Sequence, residues 1–293
     1  MLKGFICAII SACCYGTLPI LGKLGYAMGM ETYEMLSYRF GLGTLMLALW
    51  LAATNPRALR IAPHTLLKAV ALGTCIYPLQ SICFLSALKY ITASTTTLIL
   101  YFYPICVTLL SAVLFKMRLD RKVIISLVIV TTGCALVFYD AFSQSVSSMG
   151  LAYALGAMAI FSLYLVASQV ILKDEPPLTV CLYVLAAATV VFTILAGPPK
   201  LAEMTWPKAT LALAFGFFPT LLAVSLLYTA IDLVGSAYTS IFSTMEPVTT
   251  VALAFLVLGE PIAPWQLAGA ACIIAGIVLP NLGLIRRKTI VSA

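Results

Sequence analysis

Apolar runs of about twenty residues, the length of helix that crosses the hydrocarbon core of a bilayer, follow one another along this chain with only short polar gaps between them. Ten can be marked: residues 3–22, 33–52, 66–88, 92–115, 122–139, 150–171, 178–196, 208–231, 236–258 and 265–285. Backbone in lipid must satisfy its own hydrogen bonds, so runs of this kind fold as helices. Composition closes off the soluble alternative. Apolar residue types make up 62% of the chain and charged types 9%, against about 45–50% and about 25% in a soluble domain. The expected fold class is all-α: a polytopic membrane protein with ten transmembrane helices. Secreted disulfide scaffolds, collagen-like chains and disordered tails are excluded.

The net charge of +7 does not point to a nucleic-acid partner, because Lys and Arg cluster in the gaps between runs, as in loops anchored on the cytoplasmic side. With the N-terminus inside and the runs alternating, the inside segments carry Lys3, Arg57, Arg60, Lys68, Lys116, Arg118, Arg121, Lys122, Lys173, Arg286, Arg287 and Lys288. The outside loops carry only Lys23, Lys89, Lys200 and Lys208. This bias places both termini in the cytoplasm. The first run starts directly at Lys3 and lacks a small-residue cleavage site, so it reads as a retained helix. The nine cysteines all fall within apolar runs, without metal-ligand spacing or a pattern of extracellular pairs, and read as small packing residues.

The stretch 140–149 is a polar seam with five runs on either side. An odd number of spans per half makes the second half enter the membrane upside down relative to the first. A shift of 143 positions aligns Pro104 with Pro247, Gly133 with Gly276, Thr96 with Thr239 and Ala87 with Ala230. The expected organisation is therefore two inverted five-helix repeats, 1–142 and 150–288, joined by a loop at 143–149 and followed by a cytoplasmic tail, 289–293.

Five prolines fall inside runs: Pro19, Pro78, Pro104, Pro219 and Pro247. Each removes a backbone donor and frees a carbonyl, which suggests hinges and gates around a central site; ordinary packing kinks are the competing reading. A charge near the bilayer midplane costs at least about 2.5–3.5 kcal/mol on insertion scales, so it faces a partner or a wet cavity. Glu246 is the deepest acid, and Arg39 also lies within a run. Glu246 could bind an amine or take up a proton; alternatively the two form a structural charge pair. Asp232 and Lys89 sit at short turns and read as helix-end residues. Tyr15, Tyr77, Gln80, Tyr101, Tyr103, Tyr164, Tyr228, Tyr238 and Ser243 could join Glu246 in lining a small-molecule pocket, since such pockets are aromatic walls with a few polar groups. Packing alone is the alternative for each.

Small residues recur at helix-contact spacing at Gly4, Ala8, Ala12 and Gly16, and at Ala268, Cys272 and Gly276. They predict close helix packing or a dimer contact, so monomer and homodimer both stay open. Enzyme signatures such as HExxH, GxSxG and the P-loop do not occur, nor does a metal-binding constellation. His64 lies in a basic loop. No cofactor is implied; the partners expected are a small-molecule substrate and membrane lipid.

Residues 246–279, EPVTTVALAFLVLGEPIAPWQLAGAACIIAGIVL, resemble the EamA family of the drug/metabolite transporter superfamily through Glu246-Pro247, Leu258-Gly259-Glu260, Gly269 and Gly276. The first half repeats the plan more loosely in YFYPICVTLLSAVLFKMRL, with Lys116-Met117 where the second half has Gly259-Glu260. Arg39-Phe40 matches an Arg common in the family's second helix. The resemblance implies transport, often efflux, of amino acids or related amines and drugs from a cavity between two repeats. An amphiphile flippase, with a cavity open sideways to lipid, and a non-transporting scaffold, with no accessible polar cavity, are the other classes the residues allow. Nothing in the chain binds ATP, so an ion or substrate gradient would drive transport. Glu260 is a weaker site candidate.

Overall fold

The computed structural model describes residues 2–87, 90–91, 93–117, 120–140, 147–173, 175–197, 204–259 and 261–279. Lys89, Glu260, most of the polar seam and the tail beyond 279 lie outside the described residues. The helices are α1 Leu2–Tyr15, α2 Leu18–Ala27, α3 Thr32–Thr54, α4 Pro63–Ala71, α5 Tyr77–Ala87, α6 Ala93–Leu100 and α7 Tyr103–Leu114. They continue with α8 Arg121–Val137, α9 Ser148–Ile171, α10 Pro177–Ala196, α11 Trp206–Gly216, α12 Ala223–Phe242, α13 Met245–Leu258 and α14 Pro264–Val278. Among the described residues there is no strand. Among the described residues seven helical stretches are long and apolar enough to cross a membrane, and α13 and α14 are shorter apolar helices. Large apolar side chains such as Leu45, Leu49, Trp50, Val113, Ile194 and Leu256 point outward, a surface that water would not tolerate and lipid does. The chain is a multi-pass membrane protein.

All five mid-run prolines fall where the α-helix is interrupted, as the loss of a donor requires. Pro19 follows a break at residues 16–17, Pro104 a break at 101–102 and Pro247 a break at 243–244. Pro219 lies inside a π-helical segment, Phe217–Leu222, and Pro78 follows another, Leu72–Ile76. Hydroxyls take up carbonyls beside these breaks. Thr17 Oγ1 donates to the Cys14 carbonyl at 2.6 Å, Thr220 Oγ1 to Phe215 at 2.9 Å and Thr244 Oγ1 to Ile241 at 2.6 Å. A broken helix at membrane depth is thereby satisfied from within.

The helical run Trp206–Phe242 is 37 residues long and covers both the eighth expected run and the start of the ninth. Gly235 divides it, with φ 82° and ψ 163°, a backbone region essentially restricted to glycine. The most extensive helix contact is α8 against α14. A Cβ on Gly269 would stand 2.6 Å from the Gly133 carbonyl oxygen and 2.7 Å from the Val137 nitrogen, so both positions must stay bare. The packing face of α14 is Gly269, Ile273 and Gly276, all buried, while Ala268 is exposed and Cys272 only partly buried. The expected Ala268–Cys272–Gly276 stripe is thus off by one face, and its Gly276 is used within the chain. Gly4, Ala8, Ala12 and Gly16 are all buried, and their helix α1 packs on α12. One continuous core runs from Phe5 to Ile277, with tyrosines and phenylalanines at its centre.

Candidate functional site

Three helix interruptions meet in the interior. The α1–α2 break lies against the start of α13: a Cβ on Gly16 would sit 2.8 Å from Thr249 Cβ and 3.0 Å from the Glu246 carbonyl oxygen, and Thr250 Oγ1 donates to the Gly16 carbonyl at 3.2 Å. The α6–α7 break reaches the same place, because Tyr103 O–H points at the Ser240 carbonyl at 3.5 Å and lies beside Ser243. Glu246 stands in the first turn of α13, where the helix dipole favours a negative charge.

The Glu246 carboxylate is surrounded by protein polar groups rather than turned to lipid. The Tyr101 hydroxyl is placed to donate to it, and the Arg39 guanidinium is close enough to act on it electrostatically. Tyr15, Tyr103 and Cys134 are also near neighbours. Tyr101 is 4% exposed, Tyr103 2% and Arg39 6%, whereas Glu246 and Tyr15 keep part of their surface accessible. Buried Tyr101, Tyr103 and Arg39 thus form a wall around the partly buried Glu246 and Tyr15.

That wall is a continuous aromatic chain. Tyr15 hydrogen-bonds Tyr77, and Tyr77 stacks on Tyr164 with ring centroids 4.8 Å apart. Phe161 stacks on Tyr164 at 6.1 Å and meets Tyr103 edge-on at 4.9 Å. Tyr101 stacks on Phe138 at 5.8 Å. Behind the wall, Tyr228 is fully buried; its hydroxyl lies 3.0 Å from that of Tyr164 and accepts from Ser168 Oγ at 3.4 Å. Tyr228 thus fixes Tyr164 from behind.

Arg39 is committed elsewhere than a contact ion pair. Its Nε donates to Thr220 Oγ1 and its NH2 to the Pro219 carbonyl, both at 3.1 Å, and its guanidinium carbon lies 5.0 Å from the centroid of the Phe40 ring. It clamps the π-helical segment between α11 and α12 while its charge faces Tyr15 and Glu246.

Of the expected pocket residues, Tyr15, Tyr77, Tyr101, Tyr103, Tyr164, Ser243 and Glu246 are brought together. Tyr238 is not: it packs near Phe5 at 6.0 Å, with Phe5 stacked on Phe242 at 4.5 Å. Gln80 is buried and accepts from Ser81 Oγ at 3.4 Å, and among the described residues no hydrogen bond links it to Glu246. Asp232 is exposed at the turn before Gly235. Phe161, Phe138, Cys134 and Thr220 belong to the site or its support and were not picked out by sequence. Phe161 had a signal, since it precedes Tyr164 by three residues on the same helix face; Cys134 and Thr220 had none. Among the described residues no group of His, Cys, Asp and Glu could hold a metal ion.

A family model described as the EamA-like transporter family matches residues 2–139 and 148–282. The chain belongs to the EamA-like transporter family. Similar proteins of this kind include the uncharacterized transporter YwfM of Bacillus subtilis strain 168, 26% identical over 86% of this chain and 84% of its own. The threonine/homoserine exporter RhtA of Escherichia coli K12 is 27% identical over 81% of this chain and 77% of its own. A crystal structure superposes with a TM-score of 0.79 over 98% of this chain and 99% of its own, at 19% identity, a likeness of fold. In this EamA-like transporter a partly buried acid lies among buried tyrosines where broken helices meet.

Proposed function

We propose that this protein is a secondary active transporter in a cell inner membrane. It exports small metabolites such as amino acids or related amines by alternating access around the Glu246 site. The observation that carries the reading is that Glu246 and Tyr15, each only partly buried, lie among the buried Tyr77, Tyr101, Tyr103 and Tyr164. A carboxylate and an aromatic wall suit an ammonium group, by charge and by cation–π attraction. The N-termini of α2, α7 and α13, which begin at the three breaks, suit a carboxylate.

Ten spans in two inverted five-helix repeats, 1–142 and 150–288, form the framework of this reading, with both termini cytoplasmic. Reciprocal packing supports it. Gly4 of α1 approaches Leu233 and Val234, and Gly150 of α9 approaches Tyr90 and Ile91; the second pair of targets stands 143 positions before the first. Helices α1 on α12 and α9 on α5 are matching contacts, as are α3 on α11 and α10 on α4. Rocking one repeat against the other would expose the site to either side, with Pro19, Pro78, Pro104, Pro219 and Pro247 at the points that bend.

A counterflow screen in proteoliposomes with amino acids, polyamines, nucleosides and cationic drugs tests the proposal. One of the first two classes is expected to exchange, and Glu246→Gln is expected to abolish exchange or flatten its pH dependence while the protein stays folded. Exchange by Glu246→Gln at the normal rate across pH removes this residue from the mechanism. Exchange confined to amphiphiles would favour a flippase instead.

A further inference from the structure

A cleft lies where the C-terminal end of α9 meets α12 at Gly235. It measures about 160 Å³ and is lined by Gln169, Leu172, Lys173, Ile231, Asp232 and Gly235. Three of these offer complementary polar groups. Lys173 brings a cation, held with its Nζ 5.3 Å from the Phe115 ring centroid. Asp232 brings an anion. It occupies the last turn before the Gly235 break, where the helix dipole does not favour a carboxylate. Among the described residues neither charge forms an ion pair, although both line one cleft. Gln169 supplies the floor. Its Oε1 accepts from Ser236 N and from Ser236 Oγ, both at 2.7 Å. The backbone N–H fixes which end of the amide is oxygen, so the NH2 end is left as a donor with no hydrogen-bond partner among the described residues.

A cation, an amide donor and a carboxylate that line one small cleft, with neither charge in an ion pair among the described residues, match one ligand chemistry, a compact zwitterion carrying both an ammonium and a carboxylate. We propose that this cleft is a second, shallow binding site for such a zwitterion, in which Asp232 takes the ammonium while Lys173 and Gln169 Nε2 take the carboxylate. The inference rests on the reading of the protein as a transporter of amino acids or related amines, and gives that ligand a station outside the Glu246 chamber. Position also couples the site to movement. The same Gln169 amide pins the turn that starts at Gly235, and Ser236 Oγ passes the connection on to Ser111 Oγ at 3.0 Å. A ligand that draws on Gln169 therefore pulls on a polar latch joining α7, α9 and α12.

The test is equilibrium binding of a uniformly ¹⁴C-labelled mixture of L-amino acids to the full chain in nanodiscs. Size exclusion confirms that each variant is folded. The wild type is expected to show two saturable components, one removed by Glu246→Gln and the other weakened about 10- to 100-fold by Asp232→Asn or Lys173→Gln, the size of a lost hydrogen bond to a charged group. Gln169→Glu keeps an acceptor for Ser236 but replaces the donor with negative charge. It should remove the same component as Asp232→Asn and leave the other intact. A single component that vanishes in Glu246→Gln and is unchanged in Asp232→Asn, Lys173→Gln and Gln169→Glu overturns this site alone. Absence of binding in the wild type overturns both this site and the amino-acid reading of the Glu246 chamber.

Discussion

Replacing Arg39 by Met separates the two duties that the structure gives that side chain. Met is apolar and of similar reach, so it fills much of the volume while deleting the guanidinium. Two bonds disappear, to Thr220 Oγ1 and to the Pro219 carbonyl, each 3.1 Å long. Hydrogen bonds to a charged group contribute about 1.5–3 kcal/mol each, so the clamped form of the π-helical segment loses about 3–6 kcal/mol. At about 1.4 kcal/mol per tenfold change, the population with the segment held falls by about 10²- to 10⁴-fold. Thr220 keeps its own bond to the Phe215 carbonyl, so the segment should loosen rather than unfold. Arg39→Lys retains the charge but not the planar fork; losing one bond of the two, it should fall midway, about 10- to 100-fold below wild type. Exchange of the substrate found by counterflow is the assay, with a melting curve on each variant. Thr220→Val supplies the cross-check: paired with Arg39→Met in a double-mutant cycle, it should give a coupling of about 1.5–3 kcal/mol. Exchange by Arg39→Met at the wild-type rate would refute the clamp. Equal activity in Arg39→Lys and wild type would show that charge alone matters and that the fork geometry does not.

Tyr101→Phe removes the hydroxyl that faces Glu246 and should slow exchange about 10- to 100-fold, whereas Tyr103→Phe gives up only a 3.5 Å approach to the Ser240 carbonyl and should cost much less; equal effects from the two would contradict the geometry. Gly269→Val forces side-chain atoms into the Gly133 carbonyl and the Val137 nitrogen, and should destabilise by about 1–3 kcal/mol, read as a lower melting temperature in detergent. Gly235→Ala puts a Cβ at φ 82°, ψ 163°, costing about 1–3 kcal/mol; unchanged stability there would mean that the turn is not as described.

How much of this was legible in sequence depends on what each feature needs. Helices along the apolar runs follow from length and from the demand that lipid makes on backbone groups, and the sites of interruption follow from proline's missing donor. Glu246 announces itself because a carboxylate in an apolar run has few places to go. The π-helical segments at Leu72–Ile76 and Phe217–Leu222 were not legible, because they need one extra residue per turn rather than a particular residue type.

The rotation of each helix was the other hidden quantity, and it decided most of the misplacements. In water a helix declares its inner face by polarity contrast. In a bilayer the lipid and the neighbouring helix are equally apolar, so the pattern that would have told Tyr77 from Tyr238, or Gly269 from Ala268, is absent. Tyr238 and Tyr103 read alike along the chain, yet one packs beside Phe5 and the other faces Phe161. The partners of Arg39 were hidden for the same reason. They are a carbonyl and a hydroxyl 180 and 181 positions away, reached only once α3 has turned that face toward α11. Where polarity cannot set rotation, close approach does. Gly133 and Gly269 let α8 and α14 interlock at a single angle, and Gly16 lets the first interruption touch the carbonyl of Glu246. The acid is therefore placed by a bare backbone beside it, and a methyl group on Gly16, 2.8 Å from Thr249 Cβ, should displace Glu246 from Tyr101 without altering any residue that touches ligand.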